Sequence, residues 1–377
     1  MLETIQWENY LPDLYDLRAE LHAHPEISEH EENTRRRLMD FIRTHGNAEI
    51  HDMKRWFYVE IPGKVGDETI AIRADHDSIV NTLGEPFHGC GHDGHSTILC
   101  GLAWLLSDYP VAPNAILVFQ HAEENGVGAK EIVPTLKDLG VDRMYGLHNF
   151  PGAPLGEIIT RIGTFFCAST GLRLAFKGKQ SHAAEPEKGN NPAFAVAQIL
   201  SEIEPLSTLA ENHTRKWRGQ VYEQMILATV VHAEIGERDK FGISPANGQL
   251  DFTLRAEKLS DLERLCQQVE TLSQGLADEY GLELTTEYTD TFPDTANPES
   301  EVERMQKILN AQGKELLNLA EPFRPSEDFG WYLNEFPGCY VGLGSGEDHV
   351  PLHHDDFEFP DEIIQPGIEF FYGIISE

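Results

Sequence analysis

Short runs rich in β-branched and aromatic residues alternate along this chain with stretches whose apolar residues recur at helical spacing. Leu11 to Leu21 and Glu32 to Arg43 read as helices. Phe57 to Ile61, Thr69 to Arg73, Ala115 to Phe119 and Met144 to Leu147 read as strands, separated by helical segments at Ser96 to Ser107 and Ala129 to Leu139. Few folds accommodate such alternation, because a helical crossover between neighbouring strands leaves them parallel, in a sheet covered on both faces. From about Cys167 the pattern changes to strand (Leu172 to Phe176), helix (Asn191 to Ile203), two strands (Met225 to Val231, Gly248 to Arg255) and a long helix (Leu259 to Tyr280), the grammar of a small α+β sandwich. Beyond Thr291-Phe292-Pro293 it returns to a helix (Ser300 to Gln312) and a strand (Cys339 to Leu343). The expected fold is therefore α/β: a discontinuous, largely parallel-sheet domain over 1–166 and 291–377, with an α+β sandwich inserted at 167–290.

A chain of 377 residues suits roughly two domains of this kind. Its 63 acidic and 29 basic residues leave a formal charge of −34, which argues against nucleic acid or an anionic membrane surface as partner. A solvated, acid-rich surface is the plainest account of that charge. With no run of 18 apolar residues and no signal pattern over Met1 to Tyr10, the expected location is the cytoplasm. Cys90, Cys100, Cys167, Cys266 and Cys339 are odd in number and widely spaced, so reduced thiols are expected.

Ligands of an open α/β sheet bind beyond the carboxyl ends of its strands. Thr69 to Arg73 runs into Asp75-His76-Asp77, Ala115 to Phe119 into Glu123-Glu124, Met144 to Leu147 into His148, and Cys339 to Leu343 into a loop with Asp348, His349, His353 and His354. The densest cluster is His88-Gly89-Cys90-Gly91-His92-Asp93-Gly94-His95, just ahead of a helix. Its glycines permit a tight turn from which Cys90 and His92 point at one centre, and a thiolate with an imidazole suits Zn, Mn, Fe or Ni. A helix start there adds a field that favours the thiolate. Glu123 and Glu124, adjacent at a strand end, are expected to face opposite ways, one holding an ion and the other moving a proton. His148 and His353 taken singly are weak, since a lone histidine is more often structural; they gain weight from sharing the rim.

These residues resemble the M20 metallopeptidase superfamily, in particular its D branch of amidohydrolases, which includes indole-acetyl-amino-acid, hippurate and N-acyl-amino-acid hydrolases. The likeness spans nearly the whole chain: Leu17 to Glu26, Ile72-Arg73-Ala74-Asp75, Cys90 to His95, Ala122-Glu123-Glu124, Gly146-Leu147-His148, Ser181 to Pro186, Ser326-Glu327-Asp328-Phe329 and Leu352-His353-His354 stand in family order. The resemblance implies two divalent ions per subunit (Mn, Zn, Ni or Co), bridged by Cys90. One ion is held also by Glu124 and His353, the other by His92 and His148. It further implies Glu123 as general base and acid, and a lid and dimerisation role for the inserted sandwich, so that a homodimer is expected. His182 of the lid then stabilises the oxyanion of the tetrahedral intermediate, and the substrate is a small N-acyl amino acid or related amide.

Two departures concern the substrate pocket. The family's Arg-Ala-Asp-Met-Asp-Ala-Leu-Pro is here Arg73-Ala74-Asp75-His76-Asp77-Ser78-Ile79-Val80, and its lid Asn-Val-Ile-Pro is Gly242-Ile243-Ser244-Pro245, which leaves Asn247 or Arg255 to compensate. They sit nearest to the AmhX-like amidohydrolases. The rival readings are a mononuclear metallopeptidase acting on short peptides and a non-catalytic metal-binding protein.

Overall fold

Val, Ile, Leu and Phe fill the strand runs on both faces, and burial matches: Asn114–Gln120 and Thr69–Asp75 are buried at every position after the first. That continuous burial is what a central parallel strand requires. The computed structural model describes residues 4–65 and 68–377, so the first three positions of the N-terminal reading lie outside it. Two compact units emerge, Met1–Phe165 with Thr295–Pro322 and Glu327–Glu377, and Phe166–Asp294 with Phe323–Ser326.

The first unit is built on an eight-stranded sheet in the order Glu49–Asp52, Phe57–Ile61, Asn114–Gln120, Thr69–Asp75, Arg143–Pro151, Gly338–Gly346, Ile158–Thr160, Leu316–Asn318. The four strands from Asn114–Gln120 to Gly338–Gly346 are mutually parallel. Phe57–Ile61 joins them antiparallel at one side and Ile158–Thr160 at the other. Helices α1 (Leu11–His22), α2 (Glu32–His45) and α3 (His92–Asp108) share one apolar core with the sheet: Leu17, Leu21, Leu38, Leu99, Leu102 and Leu106 pack with Phe57, Ile72, Leu117, Tyr145 and Val341. Helix α4 (Gly128–Asp138), a helix at Glu299–Ala311 and a C-terminal helix, Ile364–Ser376, which the sequence pattern did not assign, also belong to this unit. None of the described helices is long and apolar enough to cross a membrane.

In the second unit Ile226–Ile235, Asn247–Ala256, Ala168–Lys177 and Glu283–Phe292 form an antiparallel sheet in that order. Strict alternation of burial along Asn247–Ala256 gives the sheet one apolar face. Helices Ala193–Ile203 and Leu259–Tyr280 cover it through Val196, Ile199, Leu265 and Val269. The long helix stops at Gly281, whose φ of 63° permits the left-handed cap. The architecture is thus the expected one, a mostly parallel α/β sheet and a smaller antiparallel sheet backed by helices.

One buried side chain stands in for a strand. Where Gly338–Gly346 runs past the end of its short neighbour, Asn297 accepts a hydrogen bond from Tyr340 N (2.8 Å) and donates from Nδ2 to Tyr340 O (2.8 Å) and Thr160 Oγ1 (2.9 Å). Asn297 is 1% exposed, so no solvent replaces it. Asn297→Ala removes both of these bonds to the Tyr340 backbone and is expected to cost about 1–3 kcal/mol, the scale of a buried polar group deprived of its partner; urea denaturation measures it, and a loss under about 0.5 kcal/mol contradicts the assignment.

Candidate metal centre

The carboxyl ends of the parallel strands gather the polar side chains, as the topology requires. Helix α3 begins at His92, four residues before the sequence pattern places it, so His92, Asp93 and His95 lie on its first turn. Gly91 caps it with a φ of 94°, and a Cβ there would stand 2.3 Å from Asn149 Oδ1. Gly94 is closed for another reason: its Cβ would meet the Phe359 ring at 2.3 Å. Small residues here let the helix approach the sheet closely enough for Cys90 and His92 to reach it.

Ligand-capable atoms of Cys90, His92 and His148 lie within 4.8 Å of one another, and so do those of Cys90, Glu124 and His353. Cys90 belongs to both groups. Each of two imidazoles is turned by an acceptor. His148 Nδ1 faces the carbonyl of Asn149 (2.8 Å), which can only accept, so Nδ1 holds the proton and Nε2 turns its lone pair to Cys90 Sγ at 3.4 Å. His92 Nδ1 likewise donates to Asp77, at 3.0 Å to Oδ1, leaving Nε2 free. Asp77 also accepts from Glu124 N (3.0 Å) and Ser28 Oγ (2.8 Å), and His95 donates to Asp75 Oδ1 (2.7 Å). His353 has a half-exposed side chain and a left-handed backbone (φ 64°) tied by its N–H to Gly89 O (2.8 Å).

Glu123 and Glu124 are separated differently from the strand alternation expected of them. The strand ends at Gln120, and the two glutamates sit on a turn just after Ala122, whose φ is 49°. Glu124 Oε1 and Glu123 Oε2 stand 3.8 Å and 3.9 Å from His92 Nε2. Glu123 also forms a buried carboxylate group with Glu327 and Asp328.

Behind these lies an ionic network that the sequence pattern does not assign. Arg73, fully buried, donates to Asp75 (2.7 Å), Asp328 (2.9 Å), Glu327 (3.1 Å) and Gln120 (2.8 Å). Tyr340 OH donates to Glu327 Oε2 (2.6 Å), and Ala129 N to Asp328 Oδ2 (2.9 Å). The only hints in the sequence are Arg73 and Glu327-Asp328 within short motifs, with nothing to pair them.

The electrostatics show what the cluster lacks. Asp75, Asp77, Glu123, Glu327 and Asp328 are buried and Glu124 nearly so, against the one guanidinium of Arg73. Burial, then Glu327 and Glu124, pushes Glu123 well above the carboxylate range; burial raises Glu124 to about 7. Burial opposes charge on His92, but Asp75, Asp77 and Glu124 outweigh it and lift it to about 10. Burial drives His148 well down and keeps it neutral. The Cys90 thiol goes up, not down: burial and the carboxylates of Glu124, Glu123 and Asp75 override any help from the helix start. Buried His92 Nε2 and Glu124 Oε1 have no hydrogen-bond partner among the described residues. Unpartnered ligand atoms in a carboxylate-rich pocket are what divalent cations complete, an ion displacing the proton from His92 Nε2, so these side chains fit a metal centre.

The remaining expected residues belong to the second unit. His182, on the exposed two-residue strand Ser181–His182, accepts Ala184 N–H at Nδ1 (3.1 Å), which leaves its proton on Nε2. Arg255 Nη1 donates to Arg324 O (3.1 Å) and Ser326 Oγ (2.9 Å), and Asn247 opens the strand Asn247–Ala256.

Comparison with known proteins gives concordant results. The profile described as peptidase family M20/M25/M40 matches residues 71–377. An N-acetyldiaminopimelate deacetylase of Halalkalibacterium halodurans is 27% identical over 381 residues, covering 97% of this chain and 99% of that protein. Among solved structures, a protein of methicillin-resistant Staphylococcus aureus named as an aminohydrolase superposes with a TM-score of 0.86 at 23% identity, over 100% of this chain and 98% of that one. The YXEP protein of Bacillus subtilis, described as a dinuclear metal binding peptidase of the M20 family, superposes with a TM-score of 0.80 at 22% identity, over 98% of each chain.

Removing one member of a buried ion pair strands the rest. Arg73→Met is expected to destabilise the chain by about 3–5 kcal/mol in urea denaturation, a range typical of broken buried pairs; wild-type stability in that variant contradicts the network's role.

Proposed function

Because the chain belongs to peptidase family M20/M25/M40, as a metal-dependent amidohydrolase, we propose that it hydrolyses the amide bond of an N-acyl amino acid, using two divalent ions shared across Cys90. The observation that carries this reading is the membership of Cys90 in two ligand groups, one with His92 and His148, the other with Glu124 and His353. The named activity of the H. halodurans relative supports an acetylated diamino acid as the first substrate to try.

Divalent cations bound there supply Lewis-acid polarisation of the carbonyl and ready deprotonation of water. Glu123 is the spare acid. Its place between the His92 and Glu124 side chains and the buried Glu327–Asp328 pair keeps its carboxyl away from bulk water, a setting suited to holding and releasing a proton. It takes a proton from the attacking water as the new C–O bond forms, and hands it to the nitrogen as the C–N bond breaks. Asp77 and the Asn149 carbonyl turn His92 and His148 inward, so the imidazoles need no further group to orient them. For His182 the fixed tautomer favours the oxyanion role: Nε2–H is available to donate.

Association through the lid is part of the same reading. Ile226–Ile235 is an edge strand of the second unit's sheet and is exposed from Thr229 onward, with Val231 at 65% and Ile235 at 41%. An unpaired, partly apolar edge of this length is a ready site for a second copy, and the proposed assembly is a homodimer working in the cytoplasm.

Two substitutions test the chemistry, assayed on acetyl, benzoyl and longer acyl amino acids with Mn, Zn, Co or Ni supplied. Glu123→Gln is expected to keep its metal and lose roughly two to four powers of ten in kcat, the usual span for general acid–base help; full activity rejects Glu123 as the proton carrier. Cys90→Ser is expected to lower metal content per chain as well as rate, and unchanged stoichiometry by atomic emission removes Cys90 from the ligand set.

A further inference from the structure

The segment joining α1 to α2, residues 23–31, contains no proposed ligand and no proposed proton carrier. It is nonetheless bonded to the loop that carries Glu123 and Glu124 and to the loop of Asp77, which orients His92. Ser78 N donates to Glu26 O (2.9 Å), and Ser28 Oγ to Asp77 Oδ2 (2.8 Å), on the loop after Thr69–Asp75. Asn125 Nδ2 donates to Glu29 Oε1 (3.0 Å), and Ala122 N to Glu31 Oε1 (2.8 Å), on the loop that carries Glu123 and Glu124. The segment is itself anchored, because the Glu26 carboxylate accepts from Asn33 N (2.9 Å) and Thr34 N (2.7 Å) at the start of α2. One piece of chain brackets the two loops from behind.

Ala122 gives the bracket its purpose. Its φ of 49° is left-handed, a conformation that costs an alanine roughly 1–2 kcal/mol and persists only where surroundings enforce it. The enforcement is visible: Ala122 O accepts from Gly128 N (3.0 Å), and Ala122 N–H is held by Glu31, which is only 3% exposed. The turn after it sends Glu123 and Glu124 to different partners. We propose that Glu31 is a positioning residue, which holds the left-handed turn at Ala122 and thereby aims the Glu123 carboxyl at the reacting atoms. The inference rests on Glu123 as proton carrier and adds a residue outside the metal centre on which its aim depends.

The bond needs an acceptor oxygen at the reach of a glutamyl side chain. It does not need a charge: burial and Asp77 push the Glu31 carboxyl up to about 8, and a neutral carboxyl oxygen accepts an N–H as well. Glutamine supplies that same oxygen at the same reach.

The test compares Glu31→Ala, Glu31→Asp and Glu31→Gln in the full, metal-loaded chain, with metal content, KM and kcat measured on an N-acetyl amino acid. Alanine and aspartate are expected to lower kcat about 10- to 100-fold, the scale of a misplacement near 1 Å, while KM stays within about threefold and metal content is unchanged. Glutamine is expected to recover most of kcat. Aspartate withdraws the oxygen by one methylene yet stays polar, so it carries the test where the alanine variant does not fold. A kcat within about twofold of the parent in the aspartate variant overturns the proposal, as does a glutamine variant as slow as the aspartate one. Glu123→Gln run alongside separates the two readings: if it is inactive while Glu31→Asp is fully active, only the role of Glu31 is lost, and if it is fully active the premise itself falls.

Discussion

The guanidinium of Arg73 is the interaction on which the acid-rich end of the central sheet depends. Buried carboxylates repel, and desolvation costs each of them dearly unless a partner offsets it. Arg73 binds Asp75, Glu327 and Asp328 at once and leaves Glu123, Glu124 and Asp77 for the open side of the cluster. Its planar fork suits that task, since one side chain presents donors in several directions without giving up its charge. The acids still outnumber the bases, Arg73 and the raised His92, and two of them, Glu123 and Glu124, lie where Cys90, His92, His148 and His353 converge. Structure and charge therefore specify the same kind of occupant, a small, strongly cationic one.

Much of this is legible in the residues. Thr69 to Arg73, Ala115 to Phe119, Met144 to Leu147 and Cys339 to Leu343 are strands, most of them longer than their apolar runs, because those runs are unbroken and give way to polar residues. Strand ends then lead to the rim. Three-residue strands such as Ile158–Thr160 and Leu316–Asn318 escape, being too short to show any period. The first turn of helix α3 is hidden because Gly91 and Gly94 suggest a loop, whereas Gly91 supplies a left-handed cap and Gly94 a close approach to Phe359.

What the residues do not disclose is pairing between distant positions. Glu31 looks like any acid in an acid-rich stretch, and only the fold brings it to Ala122 N, across 91 positions of chain. Alternation along a strand is a sound reason to separate Glu123 from Glu124, but the strand has already ended, and a left-handed alanine performs the separation. Arg73 and Asp328 stand 255 positions apart, and neither betrays its partner locally.

The acceptors behind the two inward-facing imidazoles have a further consequence. The Asn149 carbonyl and Asp77 orient His148 and His92 using protein atoms alone. In the proposed metal centre these two imidazoles would have little rotational freedom to surrender when an ion arrives. Side chains oriented in advance would act as a gauge, ranking cations by how well they match a set spacing.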